Sequence, residues 1–171
     1  MHILVWGKET LIQMKLAEAL QERADLNTKI AQLRVRINNN ALVQEGEKTP
    51  ENPDELIRQL NTSLQQLTNL ITRINLTNSV TMVNESSLTG EKTKSLTELI
   101  AERDMLKLKL DVYRELVNAA STAVYRARGT EIKVMPAVNV QKIQKETDQL
   151  SKQLRLVDNK IQETNWLTEL K

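Results

Sequence analysis

The stretch from Leu96 to Val124 constrains the fold more than any other part of the chain. Apolar side chains recur there at alternating steps of three and four residues over about four heptads. The seam comprises Leu96, Leu99, Leu106, Leu110, Tyr113, Val117, Ala120 and Val124, and one charged residue, Arg103, interrupts it. A seam of this length predicts a long amphipathic helix that packs against other helices.

The composition favours helices along the rest of the chain as well. The 171 residues include no Phe, two Trp and two Tyr, so aliphatic side chains must build the core. Only four Gly and three Pro interrupt the chain, while residues with a high helix propensity are abundant. We therefore expect an all-α protein.

Apolar periodicity predicts an antiparallel four-helix bundle with long, coiled-coil-like helices. The predicted helices span about residues 14–43, 54–78, 96–124 and 140–167, and together they form a single domain over 14–171. Residues 1–13 do not share the helical pattern, so we interpret them as an N-terminal appendage. The segment between the second and third helices has β character and turn residues, which indicates a small β-hairpin.

Local signals at the helix starts support these boundaries. Ser95 followed by Glu98 has the spacing of a capping box before the third helix. Asn139 is a predicted N-cap for the fourth helix, and Pro53 suits the first turn of the second. The second helix carries an unusually wide apolar stripe, which indicates burial against more than one neighbour.

A sequence similarity between the first and third predicted helices predicts a polar cluster. Leu16–Leu26 and Leu96–Leu106 share a pattern that places Arg23 in the position of Arg103, by either duplication or convergence. In an up-down bundle, the last turns of helices two and four arrive at the same end. The cluster would comprise Arg23, Arg103, Asn75, Asn78 and Asn165. It is either a structural network, with arginines that pair or extend to solvent, or an anion or small-ligand site gripped by two guanidinium groups.

Several function classes lack the residues that they need. The chain has no Cys, and its one His, His2, lies in the appendage, so disulfides, thiolate sites and His-based catalysis are excluded or nearly so. No Gly-rich phosphate loop or nucleophile elbow is present. We expect no cofactor and no metal, and an enzyme is the less favoured class.

Charge and hydropathy indicate the cellular location of the protein and the classes of partner that it could bind. The net charge is +2, with basic and acidic residues interspersed, so no nucleic-acid partner is predicted. No run approaches the ~18 apolar residues of a membrane span, and no signal peptide is evident. A cytoplasmic protein is the expectation.

Five collinear motifs carry a resemblance to a known family. They are Met14–Leu26, Leu42–Gly46, Arg73–Asn78, Leu99–Leu106 and Gln162–Trp166. In this order they resemble a bacterial family of small all-helical proteins, often labelled septicolysin. The resemblance implies an all-helical protein without an established activity. Its label implies a cytolysin, which would be secreted and would act on membranes.

The function that we favour from the sequence is a non-enzymatic interaction protein that forms a homo-oligomer. The wide stripe of the second helix and the regular seam of the fourth offer more apolar surface than one bundle needs to bury. The alternatives are the membrane-lytic toxin implied by the resemblance, and binding of an anion or small ligand at the Arg/Asn-rich end.

Overall fold

The computed structural model describes residues 14–87, 90–126 and 135–171. These residues form four helices: α1 (Leu16–Asn39), α2 (Pro53–Val80), α3 (Leu96–Arg126) and α4 (Val140–Leu167). Strands β1 (Met82–Ser87) and β2 (Gly90–Ser95) pair antiparallel between α2 and α3, with Met82 opposite Ser95. The all-α class and the hairpin between the second and third helices are thus confirmed. The predicted appendage lies outside the described residues.

Helix α1 is shorter than the predicted span of 14–43, and each end has a physical reason. At its start, Met14 and Lys15 are not helical, because they pair in extended conformation with the C-terminal segment 168–171. At its end, Asn40 is the C-cap residue of the helix. Its side-chain Nδ2 donates to the Arg36 carbonyl oxygen (2.9 Å), and its Oδ1 accepts from the backbone N–H of Glu51 (3.1 Å).

The predicted caps of α3 and α4 are present, and α2 begins at the predicted proline. Before α3, the backbone N–H of Ser95 donates to Glu98 Oε2 (2.7 Å), and the Glu98 N–H donates to Ser95 Oγ (3.2 Å). Asn139 Oδ1 accepts the N–H of Lys142 (3.0 Å) at the start of α4. Asn52 Oδ1 caps α2, and Pro53 is the first residue of that helix.

The heptad seams are the least exposed faces of their helices. In α1 the buried seam residues are Leu16, Ala19, Leu26 and Leu33; in α3 they are Leu96, Leu99, Leu110 and Ala120; in α4 they are Thr147, Leu150 and Ile161. The two seam arginines behave differently from their neighbours. Arg23 is exposed, and Arg103 is partly exposed and forms an ion pair with Asp104.

The described chain divides into two compact units, 14–79 with 165–171, and 80–164. In the first unit α1 and α2 are antiparallel neighbours. An ion pair between Arg36 and Glu51 joins the end of α1 to the residues before α2. At the opposite end, the segment 168–171 lies beside both the start of α1 and the last turns of α2.

The second unit contains the hairpin, α3 and most of α4. The backbone N–H of Leu96 donates to the Thr81 carbonyl oxygen (2.8 Å), which attaches the first residue of α3 to the residue before β1. Val117 of α3 and Thr147 of α4 line one shallow groove, so the two helices are neighbours. The prediction of a single domain over 14–171 stays a prediction.

Candidate interaction surfaces

Helix α2 exposes one edge of its apolar stripe. Its buried positions are Leu56, Ser63, Leu70, Ile74 and Thr77. Ile57, Leu64 and Ile71, which we call the α2 strip, follow one another at intervals of seven residues and remain 43%, 42% and 37% exposed. A spacing of seven residues places all three on one side of the helix. The wide stripe predicted for this helix is therefore only partly used within the chain.

Leu64 and Ile71 of the α2 strip lie in a segment of the helix without charge, whereas Ile57 precedes the exposed Arg58. Between Arg58 and Arg73 the helix has no Asp, Glu, Lys or Arg, although these residues make up 27% of the chain. Two of the exposed hydroxyl groups are already paired: Thr68 Oγ1 donates to the Leu64 carbonyl oxygen and Thr72 Oγ1 to that of Thr68, each at 2.9 Å. Covering the segment between Arg58 and Arg73 would thus bury no ion and leave these two donors satisfied, which keeps the desolvation cost low.

A second exposed apolar strip, on α3, has a different setting. Met105, Leu108 and Val112 are exposed and share one side of the helix. Charged side chains alternate with them along the sequence, at Asp104, Lys107, Lys109 and Asp111. Because the fully buried centres of interfaces are depleted of charged residues, the α3 strip is the weaker candidate.

A groove of ≈ 580 Å³ runs along the first turns of α1. It is lined by Met14, Ala17, Glu18, Gln21, Glu22, Asp25 and Trp166, and we call it the α1 groove. Trp166, in the last turn of α4, leaves 63% of its surface exposed. The positions of the α1 residues follow from the helical repeat, since steps of three and four keep them on one face.

Backbone pairing holds Trp166 beside α1. Just after the tryptophan, the Thr168 carbonyl oxygen accepts the N–H of Leu16, and the Leu170 N–H donates to the Met14 carbonyl oxygen, each at 2.9 Å. These bonds attach the end of α4 to the start of α1 on either side of Lys15. The groove is therefore built from residues far apart in sequence but tied together by the main chain.

The charges of the α1 groove are all negative. Glu18 Oε2 accepts the N–H of Lys15 (2.6 Å), and Asp25 Oδ1 accepts from Gln21 Nε2 (3.1 Å). Glu22 is exposed, and among the described residues the lining includes no Lys or Arg. Nor do any three acidic or histidine side chains in the described chain approach closely enough to hold a metal ion.

The shifted pKa values mark structural contacts rather than an acid–base site. The hydrogen bond from Arg36 lowers the pKa of Glu51, and the bonds from the backbone and side chain of Ser95 lower that of Glu98. Neither carboxylate lines the α1 groove or belongs to the α2 strip. No helix in the described part of the chain is long and apolar enough to cross a membrane.

The five residues of the predicted polar cluster have different surroundings. Arg23, Asn75, Asn78 and Asn165 belong to the first unit and Arg103 to the second. Asn165 is buried, whereas Arg23 and Asn75 are exposed. No hydrogen bond or ion pair joins any two of the four described residues in the first unit. A common site for all five stays a prediction.

The sequence does not predict the α1 groove as a site. The acidic face is visible in the sequence, since Glu18, Glu22 and Asp25 recur at helical spacing. No local signal indicates that Trp166 lies over that face, because the sequence alone does not reveal the pairing of residues 168–170 with residues 14–16. The α2 strip lies within the apolar stripe that periodicity predicts for this helix. Periodicity does not show which edge of that stripe is buried and which is exposed.

Comparisons with known proteins find one family and one solved structure, both of unknown function. A family model described as a family of unknown function, DUF6847, matches residues 23–170. The chain is similar to a functionally unknown conserved protein from Corynebacterium diphtheriae, known from a crystal structure. The two share 33% sequence identity and a TM-score of 0.83, and the match covers 93% of this chain and 99% of that chain. No curated protein matches the sequence. The septicolysin label accompanies neither match.

Proposed function

The chain belongs to the DUF6847 family of unknown function, and we propose that it is a non-enzymatic protein that self-associates through the α2 strip. The observation that carries this proposal is the exposure of Ile57, Leu64 and Ile71 along one side of α2, which has no charged residue between Arg58 and Arg73. The other helices carry frequent charged residues. In a monomeric protein we would expect this face either to carry charged residues too or to be buried by another part of the chain. An apolar, uncharged surface is the composition found at the buried centre of interfaces.

A second copy of the chain is the partner that this face suits best. Its polar side chains, such as Asn61, Gln65 and Asn75, are amides that both donate and accept hydrogen bonds. A surface of apolar and amide groups is complementary to itself, whereas a charged surface requires a partner of the opposite sign. Symmetric association of identical chains is also the commonest form of oligomer.

The test is the concentration dependence of the molecular mass. Light scattering coupled to size exclusion should give at least twice the 19.5 kDa of the chain at high micromolar protein. Leu64→Glu and Ile71→Glu should each shift the protein to the monomer, because a carboxylate in an apolar interface would be desolvated without a partner. Circular dichroism would verify that the helical content is unchanged.

The matched control is Leu108→Glu, which introduces the same charge into the α3 strip. This variant should associate as the unmodified protein does. A monomer at every concentration would overturn the proposal of self-association. If Leu108→Glu rather than Leu64→Glu abolished association, the α3 strip would replace the α2 strip as the interface.

Membrane disruption is the alternative implied by the resemblance to septicolysins. The exposed Leu76 and Val80 near the end of α2 are the side chains that favour it, because an amphipathic helix can insert such residues into a lipid surface. Release of a trapped dye from anionic and from cholesterol-containing vesicles at micromolar protein would support lysis. Intact vesicles of both compositions would exclude it.

Ligand binding at the predicted Arg/Asn-rich end is the third proposal. The exposed guanidinium group of Arg23 forms no ion pair with any described residue, which leaves it available to an anion. Inorganic phosphate should then raise the melting temperature of the protein, and Arg23→Met should abolish the increase. An equal increase in both proteins would exclude a site at Arg23.

A further inference from the structure

We propose that the α1 groove binds a basic, partly apolar segment of another protein. The site is separate from the α2 strip, so it does not depend on the self-association proposed above. The groove combines two features that together define its occupant: an apolar floor with an exposed indole, and a wall of carboxylates. Each feature restricts the chemistry of the partner in a different way.

The apolar part of the groove requires a partner with apolar or flat side chains. Met14 and Ala17 are the apolar aliphatic residues of the lining, and Trp166 lines the groove with them and is 63% exposed. Backbone bonds on both sides of Lys15 hold this end of α4 in place, so the indole is presented on a fixed frame. A rigid, exposed aromatic ring is a recurrent anchor in protein recognition, because little conformational entropy is lost when it is covered.

The acidic part of the groove requires a positive partner. Glu18, Glu22 and Asp25 lie along one face of α1, and no basic side chain of the described lining neutralises them. Glu18 is engaged by the Lys15 backbone and Asp25 by Gln21, but neither contact removes the negative charge. A basic segment would supply the missing charge and would be steered toward the groove by electrostatic attraction.

The arrangement favours a peptide over a bare cation. The carboxylates are spaced along two turns of the helix and do not converge on one point, so they cannot surround a metal ion. Spaced carboxylates suit several basic side chains carried at intervals along a chain. An arginine in that chain can also place its guanidinium over the indole of Trp166, since arginine stacks on aromatic rings while it pairs with carboxylates.

The test is fluorescence anisotropy with a labelled synthetic peptide of alternating arginine and leucine. The peptide should bind the full chain at low salt and bind more weakly as salt increases. The double variant Glu22→Gln, Asp25→Asn should weaken binding by about ten-fold, and Trp166→Ala by a similar factor. A peptide in which glutamate replaces arginine should not bind.

The matched control removes the same number of negative charges elsewhere. Asp111→Asn with Glu115→Gln, on the exposed surface of α3, should leave the affinity for the peptide unchanged. Equal weakening by the groove variant and by the α3 variant would show attraction to net charge alone and would overturn the proposal. Unchanged affinity in Trp166→Ala would overturn it as well, because only attraction between charges, and no contact with the indole, would then explain the binding. Self-association of each variant, measured separately, would show whether the α2 strip is unaffected.

Discussion

Asn40 shows how one side chain ends a helix and begins the next connection. It lies at the end of a run of three asparagines, and it is the buried one of the three. Its amide nitrogen satisfies the carbonyl oxygen of Arg36, and its amide oxygen satisfies the N–H of Glu51 across the loop. An amide can do both because it carries a donor and an acceptor on the same group. The ion pair between Arg36 and Glu51 then closes the same junction from the surface.

We predict that Asn40→Ala destabilises the protein by about 1–2 kcal/mol, because it leaves the partly buried N–H of Glu51 without its acceptor and removes the side-chain donor to the Arg36 carbonyl oxygen. Urea unfolding followed by circular dichroism measures the change. Asn39→Ala is the matched control: its exposed side chain makes no described hydrogen bond, so the expected change is within about 0.5 kcal/mol. Equal effects of the two variants would contradict the role given to Asn40.

The helices show that apolar periodicity in the sequence and burial in the structure are not the same thing. The seams of α1, α3 and α4 were predicted from heptad spacing, and their apolar residues are the buried or partly buried ones in the described chain. In α2 the same kind of pattern is wider, and burial divides it, with Leu56 and Leu70 inside and Ile57 and Ile71 outside. Periodicity gives the side of a helix that is apolar, but the extent of its coverage depends on what packs there.

At the start of α3, we predict that Ser95→Ala lowers the free energy of unfolding by about 1 kcal/mol, because the N–H of Glu98 loses its acceptor. Thermal and urea unfolding would measure it. Ser121→Ala, in the exposed part of the same helix, is the control and should change stability by less than about 0.5 kcal/mol. A similar loss in both variants would mean that α3 depends on serine content rather than on the cap.

The same capping box predicts a pH dependence. Hydrogen bonds from Ser95 lower the pKa of Glu98 from its ordinary value of 4.5, so the folded state favours the carboxylate. The resulting stabilisation is fully present above pH 4.5 and is lost as the pH falls through the lower pKa of the folded protein. The stability difference between the unmodified protein and Glu98→Gln should therefore shrink in acid. A difference that is independent of pH between 7 and 3 would contradict this assignment.

At the scale of the molecule, the segment 168–171 closes the first unit. Its main chain bonds to Met14 and Leu16 at the start of α1, and Lys171 bonds to both Thr77 and Arg73 of α2. Leu170 is buried with only 7% of its surface exposed, while Leu167, the residue after Trp166, is 71% exposed. A short stretch of chain thus joins the two helices of the unit and also positions one wall of the α1 groove.

We predict that Leu170→Ala destabilises the protein by about 3 kcal/mol, because it removes a buried side chain and leaves a cavity. Leu167→Ala makes the same substitution at an exposed position and should have almost no effect. Urea unfolding measures both. If Leu167→Ala proved as costly as Leu170→Ala, the segment would not have the packing described. Leu170→Ala should also weaken peptide binding in the α1 groove if the segment holds Trp166 in place.

The all-α class, the four helices, the caps of α3 and α4 and three of the apolar seams can all be derived from the sequence, because each depends on residues within a few turns of one another. The Arg/Asn cluster could be proposed but not located, since its members belong to two separately described units. Tertiary structure alone decided that Met14 and Lys15 pair with residues near Lys171, that Trp166 stands beside the acidic face of α1, and that one edge of α2 stays uncovered. The reason is physical. Hydrogen bonds and burial between distant segments depend on how the chain folds back on itself, and periodicity within a helix does not indicate which distant segment packs against it.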